Sequence, residues 1–100
     1  MPWVKHIDGL HDFISYVVVH APDEFPQEDF LDDDEQMTLD QAFAELRDGL
    51  RFVEAAFPGA DKERGLSDLL DRSLQNYKNG DDIRGAHLLQ EFERRIFKGH

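Results

Sequence analysis

The densest chemistry in this chain is a run of carboxylates, Asp32-Asp33-Asp34-Glu35, the side-chain type that hard divalent cations take as ligands. An EF-hand loop needs a glycine at its sixth position and a bidentate Glu at its twelfth, and a register starting at Asp32 places Met37 and Phe43 there. Specific calcium binding is therefore not expected. Asp8 and Asp12 stand one helical turn apart beside His11, a trio able to reach one metal, although carboxylates near a helix start more commonly complement its dipole. The remaining histidines, His6, His20, His87 and His100, add no i, i+4 pair of ligands. Cysteine is absent, which removes disulfides, thiolate nucleophiles and Cys-ligated zinc. Among the hydroxyls, Ser15, Thr38, Ser67, Ser73, Tyr16 and Tyr77, none sits in a Gly-x-Ser-x-Gly elbow, and the glycines form no phosphate-cradling loop. The residues thus point to no catalytic group, no metal centre and no cofactor.

Charge is more informative than motif. The chain has 22 acidic and 11 basic residues and a formal net charge of −11, a field that disfavours nucleic acid and anionic membranes as ligands. Its distribution is uneven. Residues 1–57 hold fourteen acidic groups against Lys5, Arg47 and Arg51, whereas residues 58–100 hold eight of each sign. Within the first part, residues 22–37 contribute eight carboxylates and no base. A concentrated anionic region can steer a basic protein into contact, and Phe25, Phe30 and Leu31 interleave apolar anchors with those carboxylates. The competing role for these side chains is to pin the segment to its own core. On this basis Asp23, Glu24, Phe25, Glu28, Asp29, Phe30, Asp32, Asp33, Asp34 and Glu35 are the expected partner-binding residues.

The elements that must carry this region read as helices. Thr38-Leu39-Asp40-Gln41 has the capping-box pattern, and Leu39, Phe43, Leu46, Leu50, Val53 and Phe57 follow at helical steps until Pro58-Gly59. Asp61 is placed to cap a second helix carrying Leu66, Leu69, Leu70, Leu74 and Tyr77, which Asn79-Gly80 ends. Asp81 or Asp82 then caps a third, with Ile83, Ala86, Leu89, Phe92 and Ile96 on one face and Arg94, Arg95 and Lys98 near its C-terminus. Gly49 and Gly85 fall inside these helices, where each costs about 1 kcal/mol relative to Ala unless it permits close packing. Ile7, Leu10, Phe13, Ile14, Val17 and Val18 fit an amphipathic helix. The β-branched and aromatic stretch 13–19 leaves a strand as the alternative, with no second strand in the chain to pair with it.

The expected architecture is all-α: one domain over residues 1–100, a small antiparallel bundle of three to four helices with a long acidic loop at 22–37 after the first. No apolar run nears the roughly 20 residues of a membrane helix, and Met1-Pro2-Trp3-Val4-Lys5-His6 does not resemble a signal peptide, so a cytoplasmic location is expected. In size, charge and helical class the chain resembles the small acidic immunity proteins that bacteria make against their own toxin domains. The residues behind that likeness are Asp23 to Glu35, the helix from Thr38, and the Tyr77-Lys78-Asn79-Gly80-Asp81 hairpin. The resemblance implies a module that neutralises or escorts a basic protein partner. The alternative is a structural or regulatory adaptor that homodimerises through Trp3, Phe13, Tyr16 and the Val17–Val19 run.

Overall fold

A computed structural model describes residues 4–21, 25 and 36–98. Every regular element among them is a helix: α1 (Ile7–His20), α2 (Leu39–Asp48), α3 (Leu50–Ala56), α4 (Ala60–Arg64), α5 (Leu66–Lys78) and α6 (Asp82–Phe97). The stretch 13–19 is helical because its apolar residues fall on one side of the turn. Leu10, Phe13, Ile14 and Val17 are buried, and no described strand exists to receive them in an extended form.

Side-chain caps mark three of the six helix starts. At α1 the cap is His6, whose Nδ1 accepts from the Gly9 N–H at 3.0 Å. At α2, Thr38 Oγ1 accepts from Gln41 N–H at 3.2 Å. The capping box is only half made, because the Gln41 amide donates forward to Glu45 Oε1 at 3.1 Å, one turn on. At α6 the cap is Asp81, which takes the Arg84 N–H at 3.2 Å.

Six segments stand where three to four helices were expected, with the extra divisions at Gly49 and at Gly65. The helix foreseen from Thr38 to Phe57 divides at Gly49, whose carbonyl accepts from Phe52 N–H at 3.0 Å in a three-residue turn. A β-carbon at Gly49 would lie 2.8 Å from Leu10 Cδ1, so the bare glycine lets α1 lie against the α2–α3 junction. The second division is α4, a single extra turn ahead of α5. Asp61 lies inside α4 and is not the N-cap of α5, which is Gly65, yet from α4 its carboxylate accepts from Ser67 N–H at 2.8 Å and from Ser67 Oγ.

The α5–α6 connection is a Schellman turn. Gly80 N–H donates to Tyr77 O at 3.1 Å and Asp81 N–H to Asn76 O at 2.8 Å, with Gly80 in the left-handed region at φ +86°. The two helices then lie so close that Ser73 Oγ donates to Gly85 O at 2.7 Å, and a β-carbon at Gly85 would meet the Tyr77 ring at 2.8 Å. Phe43, Phe92, Leu46, Leu66, Leu70 and Leu89 complete a core shared by α1, α2, α5 and α6. Ile83, expected on the buried face of α6, is 74% exposed, because the 3.6-residue turn sets it on the side of the helix opposite the buried Gly85, Leu89, Phe92 and Ile96.

Candidate partner-binding surface

Of the ten residues that the sequence nominates for partner contact, Phe25 is described, and the other nine, Asp23, Glu24, Glu28, Asp29, Phe30, Asp32, Asp33, Asp34 and Glu35, lie outside the described residues. Phe25 is 7% exposed, with its ring 5.8 Å from that of Tyr16 and 6.4 Å from that of His20. It therefore fastens the polypeptide beyond α1 back onto α1, as the pinning role requires. Just before α2, Met37 is buried as well. The acidic segment is thus fastened to the body near both ends.

Two other groups of residues resolve clearly. Of the apolar patch expected for self-association, Trp3 lies outside the described residues, Phe13 and Val17 are buried, Tyr16 packs against Phe13 and Phe25, and Val19 stands out at 69% exposure. Asp8, Asp12 and His11 do not converge, and no cluster of three or more metal-ligating side chains exists among the described residues. His11 instead turns toward α6, where its ring lies 4.5 Å from that of Phe97 and its Nε2 lies 3.7 Å from Glu93 Oε1. Asp8 and Asp12 remain on the exposed side of α1.

The arginines and Lys78 are engaged internally. Arg47 pairs with Asp71, and Lys78 Nζ lies 3.1 Å from Asp40 Oδ1, so two ion pairs cross between α2 and α5. Arg51, Arg72 and Arg84 each reach a nearby carboxylate, on Asp48, Asp68 and Asp81 respectively. Glu91 takes Arg94 and, at 3.9 Å, Arg95. The hydrogen bond from Arg94, reinforced by the charges of both arginines, holds the Glu91 carboxyl below its usual range against the opposing effect of burial. Arg64 and Arg95 form a reciprocal clasp, each guanidinium donating to the other's carbonyl at 2.9 and 2.8 Å, with Arg64 also 5.1 Å above the Phe57 ring. Exposed pairs of this kind contribute little to stability one by one, because water screens them. Their electrostatic consequence is larger: every arginine of the protein already has a partner inside it.

Tyr77, one of the hydroxyls outside any catalytic motif and a core position by periodicity, carries its polar group into the core. Its ring is 6.0 Å from that of Phe43, the residue is 4% exposed, and its hydroxyl has no hydrogen-bond partner. Burial, aided by the charge of Asp82, pushes its pKa up to about 12. Periodicity gave the only signal, marking Tyr77 as a core position without saying where the hydroxyl ends. Comparison with protein-family models, curated proteins and solved structures finds no match for this protein. Among the described residues no helix is long and apolar enough to cross a membrane.

Proposed function

We propose that this protein is an acidic binding module that neutralises or escorts a basic protein partner, in the manner of a toxin-immunity protein. The uneven charge carries this reading: the whole net charge of −11 resides in the first 57 residues. Among the described residues each arginine has an acceptor, for most of them a carboxylate. An antiparallel helical bundle presents the acidic segment 22–37 between α1 and α2, with apolar side chains anchoring it and carboxylates setting rate and orientation of encounter. The partner contacts fall on Asp23, Glu24, Glu28, Asp29, Phe30 and the run Asp32 to Glu35. A cysteine-free sequence suits the reducing cytoplasm.

Immobilised protein exposed to a lysate of its source should retain a basic protein that elevated salt releases. With that partner purified, replacing Asp32, Asp33 and Asp34 by Asn and Glu35 by Gln should lower the association rate about tenfold at low salt and flatten its salt dependence. The melting temperature should stay nearly unchanged, since surface substitutions usually remain within about 0.5 kcal/mol. An unaltered association rate would remove the acidic run from the interface. A salt-insensitive dimer that captures nothing would favour the homodimeric adaptor.

A further inference from the structure

Asn76 and Asn79 are the two asparagines of the sequence, three residues apart at the end of α5, and their surroundings differ in every respect that matters to amide chemistry. Asn76 lies inside the helix, donates its side-chain amide to Arg72 O at 2.8 Å, and is followed by the buried, bulky Tyr77. Asn79 is exposed at the C-cap and is followed by Gly80, where no atom lies within 4 Å of the position a β-carbon would take. A glycine amide is the least hindered backbone nucleophile available to a preceding asparagine.

We propose that Asn79 is a site of spontaneous backbone-assisted deamidation, gated by the Schellman turn between α5 and α6. In the reaction the Gly80 nitrogen gives up its proton to solvent and attacks Asn79 Cγ. The Cγ–Nδ2 bond breaks and ammonia leaves, closing a succinimide. Water then opens the ring, giving aspartate if it cleaves the Cγ–N bond and isoaspartate if it cleaves the bond between the backbone carbonyl carbon and that nitrogen. No oxidant or reductant takes part. The closed turn opposes the first step, because the Gly80 N–H is committed to Tyr77 O at 3.1 Å and Asn79 Oδ1 accepts from Gln75 Nε2 at 3.3 Å. Attack therefore proceeds from the opened turn, and its rate reports how often the hairpin end opens. Both products add a carboxylate beside Asp81 and Asp82, and isoaspartate also inserts a methylene into the backbone of the motif.

The test is incubation of the full-length protein at mildly alkaline pH, native and in urea, with site-resolved mass spectrometry of the amide-to-acid mass gain. Asn79 should convert in both, at least about tenfold more slowly in the native state. Asn76 should lag well behind it in the native state, N79Q should abolish the major product, and D81A, which loosens the α6 cap, should raise the native rate at Asn79. Equal rates with and without urea would overturn the gating. Asn76 keeping pace with Asn79 in the native state, or no conversion at Asn79 in native protein followed down to about a thousandth of the urea rate, would overturn the site.

Discussion

The α5–α6 hairpin and α1 are held in place by opposite kinds of information. Between α5 and α6 the turn is closed by neighbours in sequence: Gly80 to Tyr77, Asp81 to Asn76, and the Asp81 cap on Arg84. By contrast, α1 is placed largely by residues far along the sequence, with Leu10 against Gly49 and His11 against Phe97 and Glu93, while Tyr16 meets Phe25. Local closure costs little loop entropy and forms early, whereas long-range contacts must first recover the entropy of closing the loop between them. The hairpin should therefore persist under conditions that release α1. The segment joining α1 to α2 is also where the carboxylates concentrate, so the charged region joins the element held at long range to the rest of the core.

The largest expected effect is on the α1 side. Leu10→Ala empties a fully buried position and should cost about 2–5 kcal/mol in urea unfolding. It should also raise hydrogen exchange in α1 more than in α5–α6. Uniform loss of protection across all helices would erase the distinction between the two regions.

On the hairpin side, alkaline pH should act through Tyr77. Below pH 10.0 both folded and unfolded states keep the phenol proton and this group gives no pH dependence. From 10.0 up to about 12 only the unfolded state releases it, so stability falls as pH rises, by on the order of 2 kcal/mol across that window. Tyr77→Phe should flatten that slope and cost little at neutral pH, because the hydroxyl it removes has no partner. Unfolding curves of both proteins at several alkaline pH values check this.

The two helix glycines sharpen the comparison further. Gly85→Ala drives a methyl group into the Tyr77 ring and should cost about 1–3 kcal/mol. Gly49→Ala meets chiefly the end of the Leu10 side chain, which can move, and the lost freedom of the unfolded chain, roughly 0.4–1 kcal/mol, offsets the remainder. Placing Gly49→Ala in a Leu10→Ala background should turn it stabilising, a coupling that a double-mutant cycle measures. The smallest effects belong to the caps. Asp81→Ala and His6→Ala should each cost about 1 kcal/mol, the first loosening the hairpin and the second fraying only the start of α1, as amide exchange at each helix start would reveal.

Sequence alone determined what depends on neighbours within about four residues: the helices from Thr38 and Asp81, the stop at Asn79-Gly80, the core faces of α1 and α5, and the lopsided charge. Tertiary structure decided what depends on which surfaces meet. It divided the Thr38–Phe57 helix where Leu10 meets Gly49, turned Phe25 inward onto Tyr16, and tied α2 to α5 through Arg47 and Lys78. An aromatic between carboxylates reads alike whether it anchors its own core or a partner's. Only the packed arrangement distinguishes the two, because burial is a property of both surfaces together.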